Sequence, residues 1–451
     1  MIRGLTHGNH PFSYGSDHYR LPCWIAPCAD RREPVQTRVL SEEREIARKF
    51  FDHQQFNFEF QFAPGGVHYG AGDLGEMLST ADRIVDGDAD SWCQEWIATG
   101  RRVAALAEEC EQSAYRVSAR AAYLRAATYF AVALSAVDGT KDPDALLGPT
   151  FAQHRRYFDA YVQLLDPPAE RVQIPYEGQT MPGYLFRPST SAVPRRTLIM
   201  NNGSDGPVTS VWPPIAAGGV ARDYNVVIFD GPGQQSMLFE RGVPFRHDWE
   251  QVITPVVDFL LGRSDVDPKQ IVLYGISQAG YWVPRALAFE HRIAAAIADP
   301  GVYDVFEPWA KAVPPELRQL LDSGDKKDFD RFFEEGMKEA TPAERQNWEW
   351  RAKPYGLQSP FDVFTAARQY NLTDVIDQIT TPLLITDPEG EQFWPGQSQQ
   401  LFDKLRGVKR LMPFTASEGA DSHCEPMARS LLEQRMFDWL DETLPAATSW
   451  K

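Results

Sequence analysis

A chain of 451 residues exceeds what one hydrophobic core usually supports, so two domains, or one domain with large additions, are expected. It is 43% hydrophobic and 12% aromatic, yet no apolar run reaches the roughly 18 residues of a membrane span, which argues against a helical membrane protein. The formal net charge of −17 argues against nucleic acid and anionic membranes as partners, and its plain physical meaning is solubility.

The first residues, Met1 to His7, lack the apolar core of a secretion signal. The five cysteines, Cys23, Cys28, Cys93, Cys110 and Cys424, are sparse, odd in number and irregularly spaced. That pattern points to a reducing, cytoplasmic setting without a disulfide framework. Cys23 and Cys28 have no second pair to complete a zinc site, and no metal is expected. Residues 1–40 hold Pro, Gly, His and Tyr without a clear period and read as an irregular arm.

Residues 41–168 read as a helical domain. Ser41-Glu42-Glu43-Arg44-Glu45 has the form of a helix start with acids in its first turn. Trp92, Trp96, Val103, Leu106 and Ala107 recur at helical spacing, as do Ala114, Val117, Ala121, Leu124, Ala127 and Ala131. Both stripes are expected to be helix-packing surfaces.

Near residue 170 the period changes, and residues 169–451 read as an α/β domain. Arg171 to Pro175 and Gly183 to Phe186 suggest a hairpin. Short apolar runs follow at Thr197 to Met200, Asn225 to Phe229, Ile271 to Tyr274, Ile293 to Ala298, Leu383 to Ile385 and Lys409 to Met412. Alternating with helical segments, they predict a buried, mostly parallel, eight-stranded sheet. After the sixth run comes a long stretch, about 305–378, rich in Trp, Phe, Glu and Arg at helical spacing. It reads as a helical insertion over the edge where open α/β sheets bind ligands.

The sequence Gln270-Ile-Val-Leu-Tyr-Gly-Ile-Ser-Gln-Ala-Gly280 is an apolar run, a Gly-X-Ser, and small residues opening a helix. It has the form of a nucleophile elbow, with Ser277 held above the sheet. By itself such a pentapeptide is weak, since serines between small residues are common. A serine hydroxyl also needs a base, and the base needs an orienting acid, which in elbow-bearing sheets follow in the order serine, acid, histidine. His423 lies in the turn-forming stretch Glu418 to Cys424, before a final amphipathic helix over 426–444, and no other histidine occurs beyond His291. For the acid, the loop after the seventh run offers Asp387, Glu389 and Glu391, and Asp299 after the sixth run is a fourth candidate. Hydrolases with this elbow commonly carry the acid about four residues before a proline, which selects Glu391 ahead of Pro395. The others stay open as alternatives, with capping or turn roles for those not used. Acyl chemistry further needs donors for an oxyanion. The backbone N–H of Gln278 and those of Ser204 and Asp205, in Asn201-Asn202-Gly203-Ser204-Asp205-Gly206, are the candidates. Phe229-Asp230-Gly231-Pro232-Gly233 lacks a phosphate-loop pattern and reads as a pocket-shaping turn.

These segments, together with Arg246-His247-Asp248-Trp249-Glu250 and the helical stretch from Gly87 to Ala127, resemble one family. It comprises α/β-hydrolases with an N-terminal helical domain, including the fermentation-respiration switch protein, pseudooxynicotine-type C–C hydrolases and fungal pigment enzymes that shorten polyketide chains. The resemblance spans roughly residues 50–440. It implies the α/β-hydrolase fold, a Ser-acid-His triad working without a cofactor, a pocket between the two domains, and often a homodimer. Ala279 departs from the usual glycine, and Glu391 stands where aspartate is common. The implied reaction is attack of Ser277 on a small-molecule carbonyl, an ester or a C–C bond beside a ketone in an aromatic or polyketide-like compound. A carbon leaving group would need an extra proton donor, which the sequence does not identify. Acyl transfer or cyclisation by the same triad, and a non-catalytic binding module on the same scaffold, are the rival readings. Phe12, Tyr14, Tyr19 and Trp24 in the arm, and Trp309, Phe329, Phe332, Phe333, Trp348, Trp350, Tyr355 and Phe361 in the insertion, supply aromatic surface. Some of these are expected in the pocket and most in core packing.

Overall fold

Caps and aromatic seams shape the helical part of the chain in the computed structural model, which describes residues 49–445. The expected N-terminal arm, its aromatics, Cys23, Cys28 and the helix start at Ser41 lie outside the described residues. His53 accepts from the Phe56 N–H and opens α1 (Gln54–Gly65). Asp73, Asp88 and Asp142 do the same for α2 (Leu74–Ala81), α3 (Ala89–Gln112) and α5 (Pro143–Gln163), while α4 spans Arg116–Leu134. Phe56, Phe60, Trp92 and Trp96 are fully buried along one seam, with Phe56 and Trp92 ring centroids 4.5 Å apart. Burying a phenylalanine contributes about 1.5–3 kcal/mol, so the seam is a large share of what holds α1 against α3.

The two expected stripes survive only in part. Trp92, Trp96, Val103 and Ala107 are buried, but Leu106 is exposed. In the second stripe Ala114 sits in a turn at φ 59°, and Val117 and Ala121 are exposed. The helix begins only at Arg116, so the turn resets the phase. The face that packs is Ala119, Ala122, Tyr123, Ala126, Ala127 and Phe130. Alanine is common on both faces of a helix and marks neither.

The sheet contains eight strands: β1 (Glu170–Tyr176), β2 (Gln179–Phe186), β3 (Arg195–Asn201), β4 (Asn225–Phe229), β5 (Val266–Ile276), β6 (Ala295–Asp299), β7 (Leu383–Pro388) and β8 (Lys409–Phe414). Their spatial order is β1-β2-β4-β3-β5-β6-β7-β8. The hairpin β1–β2 and the β2–β4 pair are antiparallel, and every later pair is parallel. The central strands are buried on both faces, as continuous Val/Ile/Leu runs require. Their alternation sorts residues into two cores. Leu198, Met200, Val226 and Ile228 face the helices α1–α5 and the last helix, α6 (Arg429–Thr443). Ile199, Val227, Phe229 and Leu273 face the helices Glu250–Leu261 and Ala279–Leu287, together with the expected insertion.

That insertion carries five helices between Glu307 and Ala367, among them one over Pro342–Ala352 opened by a capping box at Thr341 and Glu344. Polar ties join the helical part to the rest, among them Lys353 to Asp138 and Tyr184 to Asp159. Arg155 of α5 donates to Asp230 at 3.0 Å and lies over the Tyr184 ring, and Tyr69 donates to Glu433 of α6 at 2.7 Å. None of the described helices is long and apolar enough to cross a membrane.

Candidate active site

Ser277 sits at the β5-to-helix turn with φ 59°, a conformation costly for any residue with a side chain. Its neighbours hold it there. Its N–H donates to the Asp299 carbonyl at 2.6 Å. A Cβ at Gly275 would lie 2.5 Å from Val283 Cγ2, and one at Gly280 only 1.8 Å from the Pro300 carbonyl oxygen. The tight crossing is therefore made at Gly275 and Gly280. The methyl of Ala279 fits, which explains the departure at that position.

His423 comes from the loop after β8, 146 residues away, and is 3% exposed. Its Nε2 lies 2.9 Å from Ser277 Oγ, and its Nδ1 lies 2.7 Å from Glu391 Oε2. The other Glu391 oxygen accepts from the N–H groups of Phe393 and Trp394 at 2.8 and 3.0 Å. Burial pushes the Glu391 carboxyl up, but the imidazole and these hydrogen bonds outweigh it and hold the group below its ordinary value. An ionised acceptor on that side keeps the His423 proton on Nδ1 and leaves Nε2 free to accept from the serine. Phe393, Trp394 and Phe58 of α1 surround the imidazole, with centroids 4.6, 5.7 and 6.2 Å away.

The three alternative acids are placed elsewhere. Asp387 is the penultimate residue of β7, and its side chain makes no hydrogen bond among the described residues; burial and the nearby Glu391 charge raise its carboxyl. Glu389 turns outward and accepts from the Ala416 N–H at 2.8 Å. Asp299 lies beneath the elbow, where it accepts from the Tyr274 hydroxyl and from Thr386 Oγ1 at 2.8 Å. The extra reach of a glutamate on the turn 388–391 is what brings a carboxylate to His423.

Gly203 passes so close to Ser277 that a Cβ there would lie 2.8 Å from the Ser277 Cβ. Its N–H is taken by Asn202 Oδ1 at 2.8 Å. The N–H groups of Gln278, Ser204 and Asp205 make no hydrogen bond among the described residues, and all three residues line the cavity above Ser277. The turn is pinned from below. Gln234 donates to both the Asn202 and Gly203 carbonyls at 2.7 Å, and Gln235 donates to the Asp205 carbonyl at 2.6 Å. Both glutamines follow the pocket-shaping turn read from sequence, but nothing in a lone Gln-Gln pair marks this task.

The cavity measures about 420 Å³. Of the insertion aromatics, Trp309, Trp350 and Tyr355 line it, whereas Phe329, Phe333, Trp348 and Phe361 pack among themselves. Phe58 and Phe62 of α1, Phe245, Phe393 and Trp394 complete the apolar wall. Arg246-His247-Asp248-Trp249-Glu250 is a brace outside the cavity. Arg246 grips Asp248, Tyr176 and Glu177, and Glu250 pairs with Arg285 at 2.9 Å through both oxygens.

Comparison with known proteins places this geometry in context. A family model described as "Alpha/beta hydrolase family" matches residues 202–428. "Hydrolase LUC6" of Fusarium sp is 30% identical over 418 residues, covering 88% of this chain and 98% of that protein. "20-hydroxy-prefusarin hydrolase FUS2" of Gibberella moniliformis is also 30% identical, with 88% and 98% covered. Among solved structures, the 2,6-dihydroxy-pseudo-oxynicotine hydrolase superposes with a TM-score of 0.65 at 21% identity, over 85% of this chain and 96% of the other, a likeness of fold.

Proposed function

Because the chain belongs to the alpha/beta hydrolase family, we propose that it is a serine hydrolase whose triad is Ser277, His423 and Glu391. The observation that carries this is the continuous relay from Ser277 Oγ to His423 Nε2, at 2.9 Å, and from His423 Nδ1 to Glu391, at 2.7 Å, at the floor of one cavity. Ser277 Oγ attacks the substrate carbonyl as its proton passes to His423 Nε2. Glu391 keeps the imidazole oriented and stabilises its charged form. The developing oxyanion is received by the free N–H groups of Gln278 and of the 204–205 turn. His423 returns the proton to the leaving group, whether an alkoxide or the enolate of a cleaved C–C bond, and water then releases the acyl group by the reverse relay. No cofactor is required for these steps.

The substrate is proposed to be a largely apolar carbonyl compound, polyketide-like in size and shape. A volume of about 420 Å³ suits a small molecule, and its wall is mostly apolar, with Phe, Trp and Tyr side chains contributed by several elements. The relative named for 20-hydroxy-prefusarin supports a specialised substrate of this kind.

A fluorophosphonate probe is expected to label the wild-type protein and not Ser277→Ala. Folded wild type that stays unlabelled would end this reading. With an acyl substrate in oxygen-18 water, label in the released acid identifies hydrolysis, whereas an unlabelled cyclised product identifies internal acyl transfer.

A further inference from the structure

One corner of the cavity is polar, and the reaction above makes no use of its side chains. Glu59 reaches it from α1, Arg351 from the insertion helix Pro342–Ala352, and Asp205 from the turn after β3. Asp205 is already engaged: its carboxylate accepts from Trp350 Nε1 at 2.9 Å and its carbonyl from Gln235. Arg351 is only half engaged. Its Nε donates to Asn347 Oδ1 at 3.0 Å and its guanidinium lies 5.4 Å over the Phe393 ring, the same ring that packs on His423. No carboxylate among the described residues comes within ion-pair reach of it, and its terminal N–H groups carry no hydrogen bond there. Glu59 likewise makes no hydrogen bond or ion pair among the described residues.

Both side chains are half-buried and face the cavity, so a ligand entering it can take the place of solvent on two groups that no protein partner completes. Burial pushes the Glu59 carboxyl up to about 8, the Asp205 charge adds to that, and Arg351 opposes it. At neutral pH Glu59 is thus mainly a neutral acid that can donate its O–H. Burial also holds the Arg351 guanidinium below its ordinary value, yet arginine stays charged in proteins. The corner therefore offers a planar fork of N–H donors, one O–H donor and a positive charge, with the only committed acceptor, Asp205, tied back by Trp350. Such a fork matches the two oxygens of a carboxylate.

We propose that Arg351 and Glu59 form an anion anchor that binds a carboxylate of an otherwise apolar substrate, away from the bond that Ser277 attacks. This deepens the hydrolase reading and rests on it for taking the cavity as the substrate site. The anchor joins two separate parts of the chain, so it orders α1 and the insertion around the same ligand. It also has a pH dependence of definite sign. As pH rises through about 8 the Glu59 proton is lost, a donor becomes a negative charge, and the bound carboxylate is repelled. The other titratable or charged groups on the cavity wall are Asp52, His53, Asp205, Arg351, Tyr355, His423 and Cys424.

Binding can be read without any chemistry. Isothermal titration calorimetry on the full chain would use phenylalkanoic acids with chains of four to ten carbons (about the span of such a cavity) and their matched primary amides. At pH 6.5 at least one acid is expected to bind tenfold or more tightly than its amide. Arg351→Met should bring that ratio close to one. Raising the pH to 9 should weaken the acid several-fold in wild type and much less in Glu59→Gln. Equal affinity for acids and amides, no acid binding at millimolar concentration, or a preference that survives Arg351→Met would each overturn the anchor. Fluorophosphonate labelling of Ser277 in the same preparations reports the hydrolase reading separately.

Discussion

At the scale of single residues, the site turns on which carboxylate meets His423. Asp387 and Glu391 both flank the end of β7, and both are carboxylates in a loop of the right position. Only Glu391 reaches Nδ1, because the turn after Pro388 folds it back and the N–H groups of Phe393 and Trp394 clamp its second oxygen. Glu391→Gln should therefore leave the protein folded and lower kcat by about 10³–10⁴-fold, since an amide orients and stabilises the imidazolium poorly. Asp387→Asn should change kcat by no more than a few-fold. Steady-state kinetics on an ester substrate, with a circular dichroism spectrum of each variant, checks both. Equal losses in the two variants would remove Glu391 from its assigned role.

At the scale of elements, the strand-turn-helix unit around Ser277 depends on close backbone approach. The constraint is severe at Gly280, whose Cβ would meet the Pro300 carbonyl at 1.8 Å, and absent at Ala279, which already carries a methyl. Gly280→Ala is expected to destabilise by roughly 1–3 kcal/mol or more through overpacking and to cut activity with it. Ala279→Gly should cost only about 0.5–1 kcal/mol, the ordinary penalty of glycine in a helix, and keep activity. Thermal melts of the two variants against wild type distinguish them; a larger loss at Ala279→Gly would contradict this account of the elbow. The turn over residues 202–206 shows the same logic in a loop. Gln234 holds two of its carbonyls and is buried, so the turn is rigid without being part of any regular element.

At the scale of the molecule, the cavity exists because three parts of the chain meet over the edge of the sheet. The helical part brings Phe58, Glu59 and Phe62, the insertion brings Trp309, Trp350, Arg351 and Tyr355, and the strand ends bring Ser277, Glu391 and His423. The ion pair between Arg155 and Asp230 is one of the ties that keep the helical part in place. Its side chains are 16% and 2% exposed, so removing one partner leaves a buried charge. Asp230→Asn should cost about 3–5 kcal/mol. A lowered thermal midpoint, together with weaker substrate binding than at other surface-neutral variants, would show that the tie also supports the cavity; an unchanged melt would show that it does not.

What local pattern determines is clear from particular residues. The two-residue alternation of Val226 to Phe229, the Gly-X-Ser at 275–277 and the lone late histidine at 423 are short-range signals, each set by the backbone geometry or chemistry of its own segment. They were enough for the sheet and for bringing Ser277 and His423 forward as the proposed nucleophile and base. The choice of Glu391 over three other carboxylates depends on how one turn folds back. The exposure of Leu106 and Val117 depends on which helix faces are covered, and the meeting of Glu59 and Arg351 on one cavity wall depends on two helices 292 positions apart in the sequence. Such facts belong to packing between segments, because a side chain's partners are chosen by the three-dimensional arrangement and leave no periodic trace along the chain.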